Sequence, residues 1–145
     1  MRKKKQKKIN LNSLWDNIRI KDDSKMWVNP KRIKDIDKIK KQPIIIQSDL
    51  KFQDGLFRFE DKLVLTKKYL LMYDIKKKLS RILKKVMPLQ LVKALWVVKR
   101  SESHVPEIYL IKRHQRTKLF FPNVELFLAW KKAIRKFVLL ADFYE

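Results

Sequence analysis

The sequence predicts a mainly β protein with some α structure: a small bent antiparallel sheet or barrel of seven strands, closed by a C-terminal helix. From residue 43 onward, short apolar runs alternate with turn residues at the spacing of strands. The last segment, residues 120–145, instead repeats apolar residues at steps of three and four, which indicates a helix. The first 42 residues follow neither pattern and are densely basic. We therefore expect a basic N-terminal extension with weak helices over residues 1–42 and one domain over residues 43–145.

The N-terminal extension begins with a lysine-rich arm. Residues 1–42 hold 15 Lys and Arg against 5 Asp, a net charge of +10. The run at residues 2–8 is too strongly like-charged to fold alone, so we expect a solvated arm that adds affinity for an anionic partner. Its basic residues are Arg2, Lys3, Lys4, Lys5, Lys7 and Lys8. A tail without function, a membrane or nucleic-acid tether and an import signal all remain open.

Two weak helices are predicted between the arm and the domain. Apolar residues keep helical spacing over residues 11–18, and a second thin stripe follows the turn at Asn29 and Pro30. The second stripe consists of Ile33, Ile36 and Ile39 among charged residues. Such narrow stripes favour helices that dock on the domain or on a partner, and a helix on a membrane surface is the alternative.

Seven strands are predicted between residues 44 and 121. The second has the clearest alternation, with Phe57, Phe59, Leu63 and Leu65 on one face and Asp61 as the one residue out of step. The only glycine, Gly55, marks the turn before this strand. We expect the strands at residues 44–52, 57–66, 69–73, 82–89, 92–98, 108–112 and 118–121, with a turn at residues 114–117 before the last.

The final helix should begin after Pro122, because Asn123 is a good N-cap. Its apolar positions are Phe127, Trp130, Ile134, Phe137 and Ala141. We expect one amphipathic helix that covers the sheet, with Trp130 as a plug of the core. Residues 137–144 are apolar on more than one face, which suggests packing against the N-terminal helices or a surface for a protein partner or for self-association.

The overall composition points to an anionic partner and away from catalysis. A formal net charge of +22 predicts binding to nucleic acid, an acidic protein or a phosphorylated membrane surface. A single glycine excludes phosphate-binding loops, and the absence of cysteine excludes thiolate nucleophiles and cysteine zinc sites. His104 and His114 have no recognisable catalytic or metal-binding neighbours. We expect no enzyme activity, cofactor or metal, and no small-molecule substrate.

No apolar run is long enough to span a bilayer, and the basic N-terminus is not followed by the apolar core of a secretory signal. We therefore expect an intracellular, cytoplasmic protein that associates with a membrane only peripherally.

Seven antiparallel strands followed by a helix with a tryptophan, LAWKKAI at residues 128–134, resemble a pleckstrin homology (PH) domain over about residues 42–137. Within this span, residues 55–78 resemble the second and third strands of the PH domain of phosphoinositide-dependent protein kinases. The sequence VMPL at residues 86–89 resembles the fourth strand of the family. The phospholipid-binding tail domain of class I myosins is also similar. The resemblance implies a seven-stranded bent sandwich or barrel capped by the C-terminal helix.

The PH family binds lipid headgroups at one open end, through the loops that join strands 1 and 2, 3 and 4, and 6 and 7. The resemblance places in these loops Lys51, Arg58 and Lys62; Lys76, Lys77, Lys78 and Arg81; and Lys112, Arg113, Arg116 and Lys118. It therefore implies a module for anionic phosphoinositide membranes. Phe59, Glu60 and Asp61 stand where tightly binding members are basic, and carboxylates repel phosphate. We expect electrostatic association of low specificity.

Three alternatives remain open. A basic structural protein of a ribonucleoprotein would also carry this charge. A docking module on a cytoskeletal or ciliary assembly is the second, since many PH-like domains bind no lipid. The third is an excess of lysine without any binding site.

Overall fold

The computed structural model describes residues 25–76, 82–98 and 105–144. In these ranges the strands are β1 (Ile46–Asp54), β2 (Phe57–Leu65), β3 (Tyr69–Tyr73), β4 (Leu83–Pro88), β5 (Lys93–Val98), β6 (Glu107–Lys112), β7 (Gln115–Phe120) and β8 (Leu139–Tyr144). A 3₁₀ turn (Pro30–Arg32) and the helices α1 (Ile36–Lys40) and α2 (Val124–Ile134) complete the elements. No helix in these ranges has the length and apolarity to cross a membrane.

The described strands form one sheet in the order β4-β3-β2-β1-β7-β6-β5-β8. All neighbouring strands are antiparallel except β5 and β8, which run parallel. The sheet is not closed, because β4 and β8 are its two edges. Seven antiparallel strands and a C-terminal helix confirm the predicted fold class, with strand boundaries that differ from the prediction by at most three residues.

The prediction of one continuous C-terminal helix is wrong. Helix α2 ends at Ile134, where the carbonyl accepts hydrogen bonds from the amides of Phe137 (3.0 Å) and Val138 (2.9 Å), and the chain then forms β8. The pairing of β8 with β5 satisfies backbone N–H and C=O groups on both strands. If the helix continued instead, β5 would be left as an unpaired edge of the sheet. Phe137 and Val138 pack on the main core. A partner or self-association surface at this end stays a prediction.

The predicted turn at residues 114–117 is also wrong. The turn consists of Arg113 and His114, and β7 already begins at Gln115. Arg113 adopts a φ of 57°, which lets two residues reverse the chain. Because Thr117 is buried, alternation along the strand places its neighbours Arg116 and Lys118 on the opposite, outer face of the sheet.

The main core lies on the inner face of the sheet and under α2. The helix buries Phe127, Trp130, Ala133 and Ile134. Trp130 is fully buried, and its indole N–H donates a hydrogen bond to Ser48 Oγ at 3.0 Å. The helix starts as the sequence predicts, since the Asn123 side chain accepts a 2.8 Å hydrogen bond from the amide of Leu126.

The N-terminal segment packs on the domain in two places. Ile39 of α1 joins a small cluster on the outer face, and Ile33 and Ile36 pack against it. Met26 and Trp27 belong to the main core, and Val28 forms a bridge to Val86 of β4. The second predicted helix therefore docks on the domain. The boundary at residue 42 stays a prediction, and the arm and the first predicted helix lie outside the described residues.

Candidate anion-binding surface

A groove lies beside the β1–β2 hairpin, where this hairpin extends past β3. Strand β3 pairs only with residues 62–65 of β2, whereas β1 pairs with β2 to the end of the hairpin. The groove has a volume of about 690 Å³ and is called the hairpin groove below. It is lined by Lys51, Phe52, Arg58, Phe59, Glu60, Asp61, Asp74, Lys76, Lys84 and Phe120. Its lining comes from the β1–β2 hairpin and the β3–β4 connection, two of the three places that the resemblance implies, and also from Lys84 of β4 and Phe120 of β7.

The charges of the hairpin groove nearly cancel. Four basic and three acidic side chains line it, which leaves a net charge of +1. The amine of Lys84 lies 2.9 Å from Asp61 Oδ2, and Asp61 is buried. Lys84 also lies 5.5 Å from the ring centroid of Phe59. An anion in this groove therefore meets carboxylates as well as cations, as Glu60 and Asp61 already indicate in the sequence.

Lys84 is a groove residue that sequence reasoning missed. Asp61 lies on the same face of β2 as Leu63 and Leu65, and it is the one acidic residue among the apolar residues of that face. A buried carboxylate needs a partner. Its position on an apolar face was the available signal. The identity of the partner depends on the pairing of β3 with β4, where a register irregularity places Lys84 beside the groove.

The outer face of the sheet carries a second group of cations. The register aligns Arg58, Gln53, Lys118 and Tyr109 in one row across β2, β1, β7 and β6. Since neighbouring strands lie about 4.8 Å apart, Arg58 and Lys118 are separated by roughly 10 Å at the backbone. Both point at one aromatic ring: Arg58 Cζ lies 5.8 Å and Lys118 Nζ 5.5 Å from the centroid of Phe120.

A second ring extends this arrangement along β7. Arg116 Cζ lies 6.0 Å and Lys118 Nζ 5.1 Å from the ring centroid of Tyr109. Lys118 is also 3.8 Å from Glu107 Oε1. We call Arg58, Arg116, Lys118, Tyr109 and Phe120 the outer cluster. Its cation–π contacts hold the charged groups against the sheet, each with a worth of about 0.5–1 kcal/mol at exposed sites.

The remaining predicted site residues are scattered. Lys51 is exposed beside Phe120 in the register, and Lys76 is exposed at the groove. Lys62 lies apart, half-buried in a different pocket with Lys40. Arg113 is exposed in the β6–β7 turn. Lys77, Lys78, Arg81 and the arm residues Arg2, Lys3, Lys4, Lys5, Lys7 and Lys8 lie outside the described residues.

Lys112 does not contribute to a surface site. It is buried, and its amine donates a 3.3 Å hydrogen bond to the carbonyl of Lys25. The end of the sheet at which Lys112 lies is filled by Trp27, whose ring centroid is 6.2 Å from that of Phe52. Trp130 of α2 is also buried, so these two tryptophans occupy the interior of the described sheet and leave its surface as the candidate site for an anion.

A second pocket of about 430 Å³ lies between the β1–β2 and β6–β7 turns. Burial raises the pKa of Asp54 in its wall, against the opposing effects of a hydrogen bond from Thr117 and the charge of Lys85. Arg116, Lys118 and His114 line the same pocket. A carboxyl that resists ionisation weakens the local attraction for cations and the repulsion of anions.

This sheet and its capping helix are a PH-like fold. A structure on the role of the PH and C1 domains of the Vav1 exchange factor matches with a TM-score of 0.53 and 22% identity, over 66% of this chain and 25% of that chain. Vav1 with an allosteric inhibitor matches with a TM-score of 0.58 and 19% identity, over 72% and 20%. The linker-DH/PH domains of p115-RhoGEF match with a TM-score of 0.51 and 14% identity, over 84% and 39%.

These similarities concern the fold alone, and this chain spans only 20–39% of the length of the three matched chains. No family model and no curated protein matches the sequence. The fold is similar to the PH domains of Rho-family exchange factors, and the resemblance found in the sequence is confirmed at the level of the fold.

Proposed function

We propose that the protein is a non-enzymatic PH-like module that binds anionic, phosphoinositide-containing membrane surfaces by weak electrostatic contacts. The observation that carries this proposal is that Arg58, Arg116 and Lys118 of the outer cluster lie together near the β1–β2 turn, with Lys51 two residues from their row on β1. These residues come from three separate strands, and the fold places them on one face. The proposed association with the membrane is peripheral, and no helix among the described residues could span a bilayer.

Low specificity follows from the charges of the hairpin groove. Glu60, Asp61 and Asp74 line it, and Lys84 is already paired with Asp61. A basic side chain near an anionic leaflet contributes about 1 kcal/mol, so a few such contacts give a weak and reversible attachment. The basic arm, tethered to the same chain, adds affinity through its effective concentration.

Vesicle sedimentation tests this proposal. We expect the full chain to pellet with vesicles that contain phosphatidylinositol bisphosphate or phosphatidylserine, and not with phosphatidylcholine alone. Binding should fall as salt rises from about 0.05 to 0.5 M, because screening weakens exposed charge pairs. Absence of pelleting at the lowest salt would overturn the proposal.

A charge-matched pair of variants locates the contact. The triple substitution Lys51→Gln, Arg58→Gln and Lys118→Gln removes three cations from the proposed surface. The control, Lys67→Gln, Lys68→Gln and Lys93→Gln, removes three exposed cations elsewhere. We expect the first variant to lose most of its vesicle binding and the control to lose little. Equal losses would show that only the total charge matters.

RNA binding is a second candidate, because Tyr109 and Phe120 lie among cations on the outer face, and aromatic rings beside basic residues can stack with bases. Fluorescence anisotropy with a labelled single-stranded oligonucleotide separates the two. RNA binding that survives salt at which vesicle binding is lost would favour this candidate.

A further inference from the structure

The turn of the β1–β2 hairpin carries the two most exposed large apolar side chains in the described part of the chain. Leu56 is 93% exposed and Phe57 is 71% exposed. Single exposed apolar residues are ordinary on protein surfaces, but these two are adjacent and lie at the end of the longest described hairpin, beside the β6–β7 turn. We call them the tip.

The tip is held in place by the neighbouring strand. Gly55 adopts a φ of 61°, which a turn at this position requires. Its amide donates a 3.4 Å hydrogen bond to the carbonyl of Arg116 in β7, and the Gln53 side chain donates a 3.0 Å hydrogen bond to its carbonyl. These bonds fix the turn that carries the exposed side chains of Leu56 and Phe57.

The charges nearest the tip are those of the outer cluster. Arg58 follows Phe57 directly, Arg116 binds the turn through its carbonyl, and Lys118 lies in the row of Arg58. The acidic residue Glu60 on the same face lies two residues, about 7 Å, farther from the tip. Asp54 is the carboxyl beside the turn, and burial raises its pKa. An apolar tip next to cations complements the layered chemistry of an anionic bilayer, whose phosphates lie above its acyl chains.

We propose that Leu56 and Phe57 insert among the acyl chains of an anionic bilayer while Arg58, Arg116 and Lys118 contact its phosphate layer. The membrane contact is then the tip with the outer cluster, and Lys76 and Lys84 of the hairpin groove are not part of it. This inference rests on the proposed function and specifies its surface. Apolar insertion and charge act together, because each alone gives only marginal binding.

The first experiment measures vesicle partitioning of the double variant Leu56→Ser and Phe57→Ser. Its control, Val124→Ser and Leu128→Ser, removes two exposed apolar side chains from α2, at 46% and 52% exposure. We expect a loss on the order of tenfold or more for the tip variant, about 1.4 kcal/mol or more, because two large apolar side chains no longer enter an apolar phase. The control should bind like the wild type.

A second experiment reads insertion directly. The chain has no cysteine, so Leu56→Cys can be labelled at one position with an environment-sensitive dye, and Leu128→Cys serves as the matched site on α2. With anionic vesicles, we expect a blue shift at position 56 and quenching by brominated acyl chains, and neither at position 128. This readout does not depend on the double serine variant being folded.

A third comparison separates the two surfaces. Arg116→Gln should weaken vesicle binding more than Lys76→Gln, although each removes one exposed cation. Suppose that the wild type binds vesicles. This inference is then overturned, and the proposed function stands, if the dye at position 56 stays in water, if the tip variant binds equally well, or if Lys76→Gln is the more damaging change. If the wild type does not bind anionic vesicles, both fall.

Discussion

The indole N–H of Trp27 donates a 2.9 Å hydrogen bond to the hydroxyl of Thr117, a residue 90 positions later in the chain. Trp130 makes the equivalent bond, at 3.0 Å, to Ser48 Oγ. One indole therefore closes the sheet near the β1–β2 and β6–β7 turns, and the other lies under α2. The PH-like core is completed by residues that precede the first strand.

Replacement of Trp27 tests this contribution. Trp27→Ala should lower the free energy of unfolding by about 3–5 kcal/mol, because it leaves a large cavity in the core. Trp27→Phe keeps most of the side-chain volume but loses the hydrogen bond to Thr117, and it should lower the free energy of unfolding by about 1 kcal/mol. Urea unfolding followed by circular dichroism measures both. A cost below 1 kcal/mol for Trp27→Ala would mean that the segment is not part of the cooperative unit.

Lys84 and Asp61 form one ion pair, but loss of the Lys84 charge should cost more stability than loss of the Asp61 charge. Lys84→Met leaves the buried carboxylate without its cation and should cost about 1–3 kcal/mol. Asp61→Asn should cost less, since the side chain of Lys84 is 34% exposed and can be hydrated. Thermal or urea unfolding gives the comparison, with Lys85→Met as an exposed control on the same strand. Equal effects of Lys84→Met and Lys85→Met would contradict the prediction.

Asp54 should make stability depend on pH in an unusual direction for a carboxylate. Burial raises its pKa in the folded state above the ordinary value of 3.8, so the folded chain holds this proton more tightly than the unfolded chain. The stabilisation that the protonated Asp54 provides is complete below pH 3.8, the ordinary pKa, and is lost as pH rises through the folded pKa. Asp54→Asn stays uncharged, and its stability relative to the wild type should therefore increase with pH across this window and then level off.

Urea unfolding of both proteins from acidic to neutral pH measures that difference. Asp49→Asn, which changes an exposed carboxylate of the same strand, is the control. A stability difference that stays constant with pH, or one that the control reproduces, would count against a raised pKa at Asp54.

Leu91 occupies a strained turn between β4 and β5. Its φ is 68°, it is 67% exposed, and the amide of Val92 closes the turn on the carbonyl of Leu89 at 3.1 Å. A side chain other than Gly or Asn pays about 1–2 kcal/mol in this left-handed region. Leu91→Asn should therefore raise the free energy of unfolding by about 0.5–1 kcal/mol. Leu91→Ala keeps the strain and should show no such gain; if it stabilises as much, the turn conformation is not the cause.

Those parts of the fold that depend on near neighbours in the chain could be predicted from local sequence signals. Alternation along residues 57–65 specified a half-buried strand, Gly55 its preceding turn, and Asn123 the start of α2. These features follow from side-chain period and local capping, which a single segment contains. The order of seven strands and one helix, and with it the PH-like resemblance, follows from the same local signals.

The contacts between distant segments could not be predicted from local signals and depend on how the whole chain packs. Residues 139–144 satisfy either a helical or a strand pattern, and the free edge of β5 makes them a strand. The partner of Asp61, the place of Trp27 and the alignment of Arg58 with Lys118 all depend on register between strands far apart in the chain. Register is fixed by the packing of the whole core, because a shift of one residue would turn every buried side chain to the wrong face.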